Sequence, residues 1–170
     1  MRKVLIIDTS VLCVWLQVPG MLDCGPQRDK WTHERIVEKI EASRAEGALL
    51  VLPLATIIET GNHITRHADC YNTAMRLSEK IRECANGDSP WAAFVEQAEL
   101  WTTERLIQLA DNWPILAARA ISIGDATIKD VASYYLDMGR HVEILTGDQG
   151  LQEELPEIRT LPRRRAARTQ

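Results

Sequence analysis

Val4-Leu5-Ile6-Ile7-Asp8-Thr9-Ser10 is the stretch that decides how this chain is read. Four consecutive apolar residues, all branched, suit a strand covered on both faces, as in a parallel sheet. The run stops abruptly at a carboxylate and two hydroxyls. An acid directly after a buried strand stands at the C-terminal edge of the sheet, where open α/β folds gather their ligands. Three more acids follow apolar segments in comparable settings: Glu59, Asp125 and Asp148.

The rest of the chain supplies the frame. Residues 3–8 read as the first strand, and residues 10–16 as a short apolar helix capped by Asp8 or Thr9. Pro19, Gly20, Gly25 and Pro26 mark a loop. Residues 31–46 form an amphipathic helix with Ile36, Val37 and Ile40 on one face and Gly47 as its stop. Residues 48–52 are a second buried strand, and Pro53-Leu54 turns the chain into a helix that carries Glu59. The middle, about 68–117, is helical. Ser89-Pro90 there reads as a cap followed by proline at the first helical position, and Asn112-Trp113-Pro114 as a break. After Gly124-Asp125, the residues Ile128, Val131, Ala132, Tyr135 and Leu136 fit the helical template in full. Residues 142–145 are a third buried strand ending in Thr146-Gly147-Asp148, and residues 158–161 add a short edge strand.

Strands alternating with helices imply an α/β fold in three layers. The expectation is a central parallel sheet of about four to five strands flanked by helices, with the helical middle as an insert or clamp. One domain covers residues 1–161, and residues 162–170 are a basic, disordered tail.

Composition narrows the function classes. The 170 residues carry a formal charge of −4, unevenly spread. Residues 159–170 hold five arginines and no acid, so the preceding body has 15 basic against 24 acidic residues, a balance of −9. An acidic body does not suit a protein that coats DNA, whereas the basic end suits weak polyanion contact. Cys13, Cys24, Cys70 and Cys84 form no C-x-x-C pair, which argues against a zinc ribbon. Unpaired thiols on apolar faces indicate a reducing, cytoplasmic setting. No apolar run approaches the ~20 residues of a membrane span, and Asp8 interrupts the first apolar run too early for a signal peptide.

Each acid has a purely structural alternative. Asp8 and Asp125 suit helix caps, Asp148 lies in the turn-like Gly-Asp-Gln-Gly, and Glu59 fits a solvated helix face. Together they imply more. Asp8 and Asp148 both close buried strands and so share one rim of a parallel sheet. Four carboxylates on one rim raise each other's pKa unless a divalent cation lies among them, and oxygen-only ligands favour magnesium or manganese. Such a site supports in-line hydrolysis of a phosphodiester.

In order and context, these motifs resemble those of a PIN-domain nuclease. The family pattern is an aspartate closing the first strand, a glutamate on the helix after the second, an aspartate opening a late helix and an aspartate after the following strand. Here these match Asp8 in Ile-Ile-Asp-Thr-Ser, Glu59 in Thr-Ile-Ile-Glu-Thr-Gly-Asn, Asp125 in Gly-Asp-Ala-Thr-Ile and Asp148 in Leu-Thr-Gly-Asp. The resemblance spans residues 3 to about 160. It implies an endoribonuclease dependent on Mg²⁺ or Mn²⁺, often the toxin of a VapC-type toxin-antitoxin pair, with RNA as substrate and a cognate antitoxin as partner. It also implies a homodimer, for which residues 11–16 or the helical middle are candidate interfaces.

Lesser candidates surround the quartet. Thr9, Ser10 and Thr146 are hydroxyls able to orient an acid or a water. Asn62 is three residues past Glu59 and shares its helical face. His63 and His67 lie four and eight positions past Glu59, where a structural or substrate-facing role outweighs metal ligation. Asp130 lies off the face of Asp125 and is expected at the surface, while Lys129, one turn past Asp125, suits pairing with it. Trp91 and Trp101 share an apolar stripe with Phe94 and Val95, which favours core packing over base stacking. Two rival chemistries fit less well. A phosphoaspartate enzyme of the haloacid-dehalogenase kind wants a second aspartate where Ser10 stands, and no G-x-G-x-x-G or P-loop appears. A PIN-like module that binds RNA or protein without cutting is the remaining alternative.

Overall fold

The apolar run at the N-terminus is the middle strand of a three-stranded parallel sheet. In the structure, a computed structural model that describes residues 3–153, β1 (Lys3–Ile7) lies between β4 (Leu49–Val51) and β5 (His141–Leu145). Val4, Leu5, Ile6 and Ile7 are fully buried. Alternation sends Leu5 and Ile7 to one face and Val4 and Ile6 to the other. Each such side chain contributes about 2 kcal/mol by leaving water.

Helices cover both faces. On the Leu5/Ile7 side pack α1 (Thr9–Trp15), α2 (His33–Ala45) and α4 (Tyr71–Asn86), through Val11, Leu12, Ile36, Ile40, Leu77 and Cys84. On the Val4/Ile6 side packs α6 (Ile123–Asp137), through Ile128, Val131, Ala132 and Tyr135. The fold is therefore α/β with three layers. Helix α3 (Leu54–Ile64) runs from the end of β4, and the Thr56 hydroxyl donates to the Ile7 carbonyl at 3.1 Å, fixing α3 beside the end of β1. No helix among the described residues is long and apolar enough to cross a membrane.

Several expectations are corrected. The parallel sheet has three strands among the described residues, not four to five. A separate two-stranded ladder, β2 (Asp23–Cys24) with β3 (Trp31–Thr32), folds the loop before α2. The expected strand at 158–161, the tail and its disorder lie outside the described residues. Ser89-Pro90 does not start an α-helix. The Leu50 N–H donates to the Pro90 carbonyl at 2.9 Å, and the Ala92 N–H donates to the Leu50 carbonyl at 2.8 Å. The sheet edge thus claims the Pro90 carbonyl that a first helical turn would use, and a 3₁₀ helix follows at Phe94–Trp101.

Pro114 does not break the next helix either. Helix α5 (Thr103–Ala117) runs through it and has no buried residue. Water can therefore take the carbonyl that the missing N–H leaves unpaired. Trp91 is core and stacks on Trp15, with ring centroids 6.2 Å apart, but Trp101 is exposed. Val11 to Val14, within the segment offered as a dimer interface, are buried inside the chain itself.

Candidate functional site

Register assembles the first part of the site. Ile7 pairs with Leu145, and the Asp8 N–H donates to the Leu145 carbonyl at 3.1 Å. The residues after both strands therefore meet at one rim. Asp8, 5 % exposed, accepts on Oδ2 from the Ser10 hydroxyl at 2.7 Å, the Thr146 hydroxyl at 2.8 Å and the Ser10 N–H at 3.3 Å. The Ser10 bond to its backbone makes Asp8 the cap of α1, so the structural and site roles coincide. Burial pushes the Asp8 carboxyl above its ordinary range, and the hydroxyls of Ser10 and Thr146 oppose that rise. The cause is desolvation, not the mutual repulsion of carboxylates that the sequence suggested.

The same hydroxyls carry the network to Asp148. The Gly147 N–H donates to Ser10 Oγ at 3.0 Å and the Asp148 N–H to Thr146 Oγ1 at 2.9 Å. Asp148 is exposed, and its Oδ1 accepts from the Gly150 N–H at 2.8 Å, opening α7 (Gln149–Glu153).

Glu59 arrives from α3. The Thr9 hydroxyl donates to its Oε2 at 2.8 Å. Its carboxylate also lies against Gly124 at the start of α6: a Cβ at that position would collide with Glu59 Oε1 and come within 2.9 Å of Cδ. The next residue is Asp125. It is not the cap of α6, as the sequence suggested, but the third residue of a capping box. Ser122 Oγ donates to Asp125 Oδ2 at 2.7 Å, and the Asp125 N–H donates back to Ser122 Oγ at 3.0 Å. Asp125 and Asp148 line one cleft of about 270 Å³ with Lys129 and Arg119.

Of the expected residues, Asp8, Thr9, Ser10, Thr146 and Asp148 share one hydrogen-bonded rim, which Thr9 extends to Glu59. Asp125 joins through the cleft and through its neighbour Gly124. Asn62 stands exposed on α3. Asp130 is exposed as expected, but desolvation by the flanking helices pushes its carboxyl up against the opposing charge of Arg105. Sequence reasoning missed two glycines. Gly124 makes room for Glu59. Gly147 makes room for the β2–β3 loop, since a Cβ there would stand 2.7 Å from the Gly25 nitrogen and 2.9 Å from Cys24 Sγ. The available signal was a glycine directly before each of two site acids.

The donor chemistry, all hard oxygen, fits Mg²⁺ or Mn²⁺. As the side chains stand, no group of three or more His, Cys, Asp or Glu among the described residues is placed to hold an ion. Asp8 and Asp125 are turned into their local hydrogen bonds. No family model, no curated protein and no solved structure matches the chain.

Proposed function

We propose that the protein is a metal-dependent endoribonuclease of the PIN kind, hydrolysing RNA phosphodiesters at Asp8, Glu59, Asp125 and Asp148. The observation that supports the reading is a chain of contacts that touches four acids from four elements: Ser10 and Thr146 on Asp8, Thr9 and Gly124 on Glu59, and the cleft that Asp125 shares with Asp148. Mg²⁺ or Mn²⁺, held by these carboxylates, would supply an activated water and neutralise phosphate charge. The chain's own part is positional. Thr146 and Ser10 fix the plane of the Asp8 carboxylate, Thr9 fixes that of Glu59, and burial of Asp8 keeps bulk water from one side of the rim. The resemblance of the motifs adds the toxin of a toxin-antitoxin pair as the biological setting.

The test is incubation with single-stranded and structured RNA in Mn²⁺, Mg²⁺ or chelator. Metal-dependent cutting abolished by Asp8→Asn is expected. Cutting that survives both chelator and Asp8→Asn would defeat the assignment. A second reading, a PIN-like module that binds RNA without cutting, is favoured by the commitment of Asp8 and Asp125 to local bonds. RNA binding with no cleavage in either metal would select it.

A further inference from the structure

The cleft formed by the turn after α5, the first turns of α6 and the start of α7 holds cations as well as acids. Its walls include Arg119, Ile121, Asp125, Lys129, Asp148 and Leu151. Lys129 stands one turn beyond Asp125 on α6, and Arg119 comes from the turn after α5. On its other side, Asp148 lines a second, larger hollow of about 470 Å³ with Ser10, Cys24, Gly25, Pro26, Gly147 and Gln149, which contributes no cation. Among the residues that line the two hollows, the cations therefore stand on one side of Asp148.

We propose that Lys129 and Arg119 form a phosphate subsite for single-stranded RNA, gripping the phosphodiester next to the one that is cut. This rests on the nuclease reading of the four acids. The carboxylates alone repel an RNA backbone, so a strand reaches them only if cations nearby offset the repulsion. The volume, about 270 Å³, is close to the lower end of small-ligand pockets and suits one phosphate with its sugar. The hollow beyond Asp148 has no cation in its lining, so it offers the neighbouring nucleotide no ion pair. A flexible strand can dip into both hollows, whereas a rigid duplex rides across the rim.

The experiment measures binding of a short fluorescent oligouridylate by anisotropy in chelator, so that no cleavage intervenes. Lys129→Gln and Arg119→Gln are compared with Lys129→Arg and with Arg82→Gln on α4, outside both clefts. Each charge removal in the cleft is expected to lower the slope of log affinity against log salt by about 0.7. That corresponds to about five-fold weaker binding at about 0.1 M salt. Lys129→Arg and Arg82→Gln retain the wild-type slope. Pairing the oligouridylate with oligoadenylate weakens binding. Unchanged affinity and slope in both cleft variants, or equal binding of the duplex, overturns the subsite. If wild type cuts RNA with metal while Lys129→Gln binds normally, the subsite fails and the nuclease stands. If binding depends on Lys129 but neither metal gives cutting, the nuclease reading fails and with it the placement beside a cut bond, while the RNA contact at Lys129 stands.

Discussion

Gly124→Ala separates stability from the site. Gly124 is inside α6 with an ordinary φ, so alanine fits the backbone, and the helix gains up to about 1 kcal/mol. The new methyl would collide with Glu59 Oε1. That atom is the far end of a flexible side chain, so the carboxylate moves and the helix does not. Its departure breaks the 2.8 Å bond from Thr9, a half-exposed bond to a charged acceptor worth about 1–2 kcal/mol. The two changes nearly cancel. A net change within about 1 kcal/mol means a Tm within about 4 °C of wild type for a chain of this size. The site fares worse, because a carboxylate displaced by about 1 Å can cost 10²-fold in rate. Calorimetric melting, Mn²⁺ titration and RNA cleavage are measured on the same preparation. Full melting stability with weakened Mn²⁺ binding and about 100-fold slower cleavage is the expected result. Glu59→Asp in the Gly124→Ala background, one methylene shorter, recovers part of the Mn²⁺ binding. Wild-type Mn²⁺ binding and cleavage in folded Gly124→Ala would refute the placement of Glu59 against α6. So would a fall in Tm beyond about 10 °C.

Further outcomes follow from other groups. The Asp8 carboxyl is pushed up by burial, so the folded state holds its proton more tightly than the unfolded chain. The stability it lends is complete below the ordinary aspartate range and lost as pH rises through the raised pKa. Asp8→Asn is therefore expected to melt higher than wild type at pH 7, with the gap closing in acid; a gap that widens in acid would contradict this. Ala120 holds φ +61 in the turn after α5, a conformation that costs a side chain about 1 kcal/mol. Ala120→Gly should stabilise by about that amount in chemical denaturation, and a loss of stability would show that the turn is unstrained. Burial pushes the Cys13 thiol up to about 11 and the Cys84 thiol up to about 12. Under native conditions an alkylating reagent should leave both unmodified while reaching half-buried Cys70; early labelling of Cys84 by peptide mapping would count against the packing of α4.

The frame was legible because its signals are local. Val4–Ile7 could only be a doubly covered strand, and the template from Ile128 to Leu136 placed α6 and its buried face. The placement of Asp8 beside Thr146 followed from two strands ending at the same edge. What stayed hidden depends on partners distant in sequence. Ser89-Pro90 carries a strong helix-start signal, yet Leu50, some forty residues earlier, claims the Pro90 carbonyl and the Ala92 N–H. Pro114 is tolerated in α5, where no residue is buried, and that exposure cannot be read from Asn112-Trp113-Pro114 itself. Asp125 was legible as a helix-start acid but not as the reciprocal partner of Ser122, nor could its spacing show that Glu59 leans on the preceding glycine.

The bonds that Leu50 makes to Pro90 and Ala92 also bear on association. An exposed outer strand is a template on which another chain can build. At β4 that template is interrupted at its middle residue, whose N–H and C=O are both spent on a segment that lacks a proline N–H and soon turns into a 3₁₀ helix. Among the described residues, no strand pairs with the outer side of β5. Among the described residues, the side on which a further strand can pair therefore lies along the strand that delivers Thr146 and Asp148 to the rim.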